Sequence, residues 1–214
     1  IGAATTHWDV LHNDIVKTHV KLLADATATV ADPQVRHRGT FGGALAHGDP
    51  AGDLPAVVLA LDATMEIAGA KGRRQVAAKD FFVDYFTTAV GPDEILVSIT
   101  IPKLGKGWGT CYEKFNRTAS GWAVVGVAAA VKVEGGKITD ARIGLTNCAA
   151  VPVRASSVES ALKGASISAA EIEAASQSAA EGTRATSDLA ADKEYREHLM
   201  RVVTARAVCC AAGA

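Results

Sequence analysis

Apolar residues recur at helical spacing near the start of this chain and at alternating spacing beyond residue 64. In residues 5–30, Ile15, Val16, Val20, Leu22 and Leu23, with His19, keep an approximate helical period, which predicts one or two helices. Thr6 and Asp9 stand at capping-box spacing, with Asp in place of Glu or Gln. Residues 36–52 carry Gly39, Gly42, Gly43, Gly48 and Gly52 and read as a polar, glycine-rich loop. The loop runs into a helix expected from about Asp53 to Leu61, apolar on every side. Asp53 is its expected N-cap, and Pro55 sits in the first turn, where a missing N–H matters least.

From residue 64 the period shortens. "TMEIAG", "RRQVAA" and "EILVSITIP" read as short strands, and in the last of them Ile95, Val97, Ile99 and Ile101 alternate with Leu96, Ser98 and Thr100. "KDFFVDYF" reads as a helical turn carrying aromatic residues, and Pro102 with "KLGKGWG" as a domain boundary. "VGVAAAVKV" and "ITDARIGLT" flank Glu134-Gly135-Gly136-Lys137, a spacing that predicts an antiparallel hairpin. The remainder is helical. One helix spans roughly 155–163 and stops at Gly164, a second starts at Ser168 with Glu171 at capping-box spacing, and a third runs from about 192 with Tyr195, Leu199, Val202 and Val203 on one stripe. Strands and helices in separate blocks predict an α+β fold rather than a doubly wound sheet.

Composition narrows the function. The 214 residues are 49% hydrophobic with a net charge of −1, enough for one large domain or two modest ones and without the basic excess of a nucleic-acid binder. No apolar run approaches the about 18 residues of a membrane span, and residues 1–15 mix charges and histidines rather than forming a signal peptide. Residue 1 is Ile, which suggests a fragment. The four cysteines, Cys111, Cys148, Cys209 and Cys210, form no CxxC pair and read as free thiols in a reducing compartment; His7, His12 and His19 are too irregular for a metal site.

Chemistry concentrates in the glycine-rich stretch. Thr40-Phe41-Gly42-Gly43 offers backbone N–H groups with little side chain in front of them, a surface suited to phosphate oxygens. Asp53, at the start of the next helix, suits hydroxyl or amino donors rather than a diphosphate. A tight surface turn explains the same glycines. "RHR" (36–38) would help neutralise a diphosphate, though such residues beside a loop are more often solvated charge, and "HGD" (47–49) reads as an Asx turn rather than a metal or acid–base set. No G-x-G-x-x-G follows a strand, and no Ser-His-Asp set, spaced carboxylate pair or HExxH appears, so neither catalytic residues nor metal ligands are assigned.

"RHRGTFGGALAHGDPAGDLPAVVLALDA", with "DFFVDYFTTAVGPDEILVSITIP", "YEKFNRTASGWAVVGVAAAV", "ARIGLTNCAAVPVRASSVESAL" and "DKEYREHLMRVVTARAV", resembles the FAD-binding medium subunit of the molybdenum hydroxylases across essentially the whole chain. It most resembles those of aerobic carbon monoxide dehydrogenases, with xanthine dehydrogenase flavin domains more distant. The resemblance implies residues 1–103 as the second subdomain of a PCMH-type FAD-binding domain and 109–214 as a small antiparallel-sheet-plus-helices domain. Thr40, Phe41, Gly42 and Gly43 match the segment contacting the FAD pyrophosphate, with Phe41 where the family carries a small aliphatic residue. Asp53 matches an acidic cofactor ligand, Val30 an apolar residue on the adenine side, Leu96 a residue flanking the nucleotide, Lys114 a lysine near the flavin ring, and Trp122 an aromatic beside it. An exposed Lys114 and a core Trp122 are the ordinary alternatives.

The family's preceding subdomain, with a second glycine-rich loop, has no counterpart in these residues, so half of the FAD site is expected here. The implied function is electron transfer through FAD to a quinone or another acceptor, within a dimer of heterotrimers. A large subunit would carry the molybdenum cofactor and a small one two [2Fe–2S] clusters, in the cytoplasm and sometimes docked at the membrane. Carbon monoxide, a purine, nicotine or an aromatic thioester would all serve as substrate. A cofactor-free assembly module is the rival reading.

Overall fold

A computed structural model describes residues 1–214. The N-terminal period resolves into three short helices, α1 (His7–His12), α2 (Asp14–His19) and α3 (Lys21–Ala28). Thr6 Oγ1 accepts from Asp9 N–H at 3.0 Å, and Asn13 both ends α1 and caps α2 by accepting from Ile15 and Val16.

The glycine-rich stretch is irregular only at residues 39–40 and 48–52. It forms α4 (Pro33–Arg38), capped by Asp32 with Pro33 at its first position, and α5 (Phe41–His47), capped by Thr40. Close approach explains Gly42, where a Cβ would lie 2.6 Å from Ala3 Cα and 2.7 Å from its carbonyl oxygen. "HGD" does form an Asx turn, with Ala51 N–H donating to Asp49 Oδ1 at 2.9 Å.

Helix α6 (Asp53–Ala60) is buried along its whole length. Gly52 is its N-cap, not Asp53, whose side chain is engaged elsewhere. Beyond it β1 (Thr64–Gly69), β2 (Gly72–Ala77) and, later, β5 (Glu94–Thr100) form an antiparallel sheet in the order β2-β1-β5, with Met65 opposite Ile99 and both fully buried. "KDFFVDYF" is only half helical: α7 (Ala78–Phe81) gives way to a hairpin of β3 (Phe82–Asp84) and β4 (Thr87–Thr88).

The second sheet is antiparallel in the order β6 (Trp108–Phe115), β7 (Val125–Glu134), β8 (Lys137–Thr146), β9 (Val153–Arg154). Gly135 and Gly136 both take positive φ at its central turn, which fits the predicted hairpin. Helices α8 (Ser156–Leu162), α9 (Ala169–Ser176) and α10 (Lys193–Ala212) cover one face. The expected stripe on α10 is only partly buried: Leu199 and Val203 are, whereas Tyr195 is exposed and Arg196 is buried instead.

Parity within β7 explains how one strand is apolar on both faces. Val125, Val127, Ala129 and Val131 pack toward α10, while Ala128 belongs to the core around α6. Small residues on that second face let α6 approach closely; a Cβ on Gly144 of β8 would run into the Ala56 carbonyl. At the end of α6, Asp62 accepts from Arg142 at 3.0 Å and from Arg154 at 2.9 Å, and Arg154 also donates to Leu59 O.

The thiols differ from expectation. Cys111 on β6 and Cys210 on α10 form a disulfide, with Cα atoms 5.9 Å apart, leaving Cys148 and Cys209 free. A separation of 99 residues carries no local signal by which this pair could be read from spacing. Burial pushes the Cys148 thiol up to about 12, so it is inert. No helix is long and apolar enough to cross a membrane.

Candidate cofactor cavity

Strand alternation on β6 places Tyr112 and Lys114 on the same face, opposite that of Cys111, and directs both at the first residue of α6. Tyr112 Oη donates to Asp53 Oδ1 at 2.6 Å, and Lys114 Nζ donates to Asp53 Oδ2 at 2.9 Å and to Thr29 O at 3.1 Å. The side chains of Asp53 and Lys114 are each only 5% exposed, which excludes a solvated Lys114. Burial raises the Asp53 carboxyl above its usual range, against the opposing pull of Lys114 and the Tyr112 hydroxyl. Burial first, and then the Asp53 charge, push the Tyr112 hydroxyl well above its ordinary value.

This pair forms one wall of a cavity of about 280 Å³. Val30 and Ala31 form another wall, together with Ala44 and Pro55, and the third is the 116–124 loop between β6 and β7, which contributes Ser120, Gly121 and Trp122. Trp122 is 62% exposed, so it is not a core residue, and its far side borders a second hollow shared with Tyr85 and Phe86. The Val30–Ala31 wall is held by cations. Arg36 donates to Val30 O at 2.7 Å and to Ala31 O at 3.2 Å, so it is not merely solvated, and Ala31 takes the left-handed φ of 43°.

Of the residues singled out by sequence, Val30, Asp53, Lys114 and Trp122 therefore meet at one cavity. Leu96 lies in β5 opposite Ile67 and lines no part of it. Within the expected Thr40–Gly43 phosphate cradle, three of the four N–H groups are bonded inside the chain, and Thr40 N–H makes no hydrogen bond. Phe41 N–H donates to Thr5 O and Gly42 N–H to Ala3 O, both at 2.9 Å, and Gly43 N–H donates to Thr40 Oγ1 at 3.0 Å. Phe41 is fully buried. The free donors expected of residues 41–43 are absent because α5 and the 2–5 segment consume them.

His7, Tyr112 and Arg36 are the contributors that motif reading missed. His7 lines the cavity, is 4% exposed, and its Nδ1 has no partner. Burial, and then the nearby Arg36 charge, lower its pKa, so it stands neutral with an unused ring nitrogen. Apolar walls beside an exposed indole and the buried Asp53–Lys114 pair fit a planar aromatic ring with polar edges. The cavity thus fits part of the expected flavin nucleotide, while residues 41–43 offer no donors for its diphosphate.

Two family models match the chain. Residues 1–104 match the FAD binding domain in molybdopterin dehydrogenase, and residues 110–211 match the CO dehydrogenase flavoprotein C-terminal domain. The chain is 36% identical over 208 residues to the carbon monoxide dehydrogenase medium chain of Hydrogenophaga pseudoflava, covering 97% of this chain and 72% of that one. It is 34% identical to the nicotine 6-hydroxylase medium subunit of Paenarthrobacter nicotinovorans, with coverage of 97% and 72%. Among solved structures, carbon monoxide dehydrogenase from Hydrogenophaga pseudoflava superposes with a TM-score of 0.96 at 37% identity, over all of this chain and 74% of that one. Quinoline 2-oxidoreductase from Pseudomonas putida 86 superposes with a TM-score of 0.94 at 32% identity, with coverage of 100% and 74%.

Proposed function

Because the chain belongs to the flavoprotein medium subunits of the molybdenum hydroxylases, we propose that it carries electrons from a partner's [2Fe–2S] clusters, with FAD held at the Asp53–Lys114–Trp122 cavity, to a quinone or another acceptor. The supporting observation is the convergence of Val30, Asp53, Lys114 and Trp122, distant in sequence, on one cavity. In this reading residues 1–103 bind the cofactor with Lys114 and Trp122 from the 109–214 domain, inside a dimer of heterotrimers with a large molybdenum subunit and a small iron–sulfur subunit.

FAD, when bound, supplies one- and two-electron transfer. The chain's own residues hold and shape the site. The indole of Trp122 offers a face for stacking. Lys114 is fixed by Asp53 and Thr29 O, so a positive charge sits at a set depth with its partner beside it. His7 lends the cavity wall a neutral imidazole.

Substrate choice lies with the molybdenum subunit, and the named relatives divide on it: carbon monoxide dehydrogenase, nicotine 6-hydroxylase and quinoline 2-oxidoreductase. Carbon monoxide is our leading substrate, with nicotine, a purine or an aromatic thioester as rivals. The occupied N–H groups of residues 41–43 favour a second reading, a cofactor-free assembly module. An absorption spectrum with flavin extraction, on the complex purified from its source, separates them. Flavin beside iron–sulfur absorbance and molybdenum supports electron transfer; iron–sulfur and molybdenum without flavin supports assembly.

A further inference from the structure

The dipeptide at the end of β8 reaches both sides of the cavity. Thr146 Oγ1 donates to Gly52 O at 3.1 Å. Asn147 follows with φ of 61°, a left-handed conformation that Asn tolerates better than most residues, and the strand ends there. That conformation points its backbone N–H to Pro50 O at 2.8 Å, while its side-chain Nδ2 donates to Ala123 O at 2.7 Å. Pro50 and Gly52 belong to the turn that delivers Asp53; Ala123 directly follows Trp122. One half-buried residue thus bonds the acidic wall and the aromatic wall at once.

The rest of the 116–122 loop is tied mainly to itself. Within residues 116–122, Asn116 Nδ2 donates to Thr118 O at 2.6 Å, Gly121 N–H donates to Thr118 O at 2.9 Å, and Arg117 donates outward to Leu189 O; beyond Ala123, the buried Arg196 also donates to Val124 O. We infer that Asn147 is a positioning residue for the cofactor site: its carboxamide fixes the Trp122 loop against the Asp53 turn and so sets how the indole meets the bound ring. The inference rests on the electron-transfer reading for its consequence, and on the two Asn147 bonds for its geometry.

Asn147→Gly removes the side chain with its carboxamide, while glycine keeps the positive φ and the N–H to Pro50. Asn147→Asp keeps the left-handed preference and turns the donor into an acceptor facing Ala123 O. In the intact complex, both variants are expected to release FAD about fivefold more readily, the factor that one lost neutral hydrogen bond corresponds to. The visible circular dichroism of the bound flavin should change with it. Hydrogen exchange measured by mass spectrometry should speed up at residues 118–123 and stay unchanged at 50–53. Unchanged exchange at 118–123 in both variants overturns the positioning role, as does altered exchange with flavin retention and dichroism like the parent's. If the parent complex holds no flavin while exchange at 118–123 still responds, the tie stands and the electron-transfer reading fails instead.

Discussion

Asp53 and Lys114 lie 61 residues apart, on α6 and β6, and meet as a 2.9 Å ion pair shielded from water on both sides. Two buried charges in contact stabilise little relative to an apolar pair, yet removing one is costly because the other stays behind. Asp53→Ala strands Lys114 and the Tyr112 hydroxyl together. The expected loss is about 3–5 kcal/mol in urea unfolding, with flavin content after gel filtration falling in step. Retention of full flavin and full stability would remove Asp53 from the site.

His7 gives the chain a pH response near neutrality. Its folded pKa lies below the model-peptide 6.5, so its contribution to stability is present above pH 6.5 and is lost as pH falls through the lowered value. Denaturation midpoints measured from pH 7.5 to 5 should fall across that window, and His7→Phe should flatten the slope. An identical slope in the variant would assign the acid response to other groups.

Trp122 is a site residue without being a core residue. Trp122→Ala should leave the unfolding free energy within about 1 kcal/mol, since exposed side chains away from networks contribute little. Flavin retention and flavin fluorescence quenching should both decrease. A large stability loss with unchanged flavin properties would reverse that assignment.

Gly42 tests whether the glycines serve the ligand or the packing. Gly42→Ala forces a Cβ against Ala3 and should cost about 1–3 kcal/mol by overpacking. Pairing it with Ala3→Gly should recover part of that loss, read as a coupling energy in a double-mutant cycle. Loss of flavin without loss of stability would return the stretch to a ligand-binding role.

Local chemistry made some elements legible. Gly135-Gly136 announces its turn, Gly164 with φ of 89° ends its helix region, and Thr6 caps where its spacing with Asp9 predicts. Ser168 fulfils half of its capping box, because the Glu171 carboxylate turns to Ser166 instead. Over residues 36–52 glycine content masks two real helix signals, Asp32-Pro33 and Thr40. Gly42 answers to a tertiary neighbour, Ala3, and Gly39 to the His7 ring, which no short window of sequence displays. The site divides the same way. Asp53 is legible from its place at a helix start and from family likeness, and Lys114, Val30 and Trp122 from likeness alone, whereas Tyr112, His7 and Arg36 matter through which strand face or helix they share with distant residues.

Helix α6 carries an acid at each end, and strands of the second sheet hold both: Tyr112 and Lys114 grip Asp53, Arg142 and Arg154 grip Asp62. Between them, close packing on Gly144 leaves no slack for sliding. The two sheets are therefore not hinged plates with a pocket at the crease. They share one helix, pinned to the second sheet at both of its ends. The walls contributed by α6 and β6 stand in place before any ligand arrives, and adjustment on binding falls to the loops at the cavity mouth.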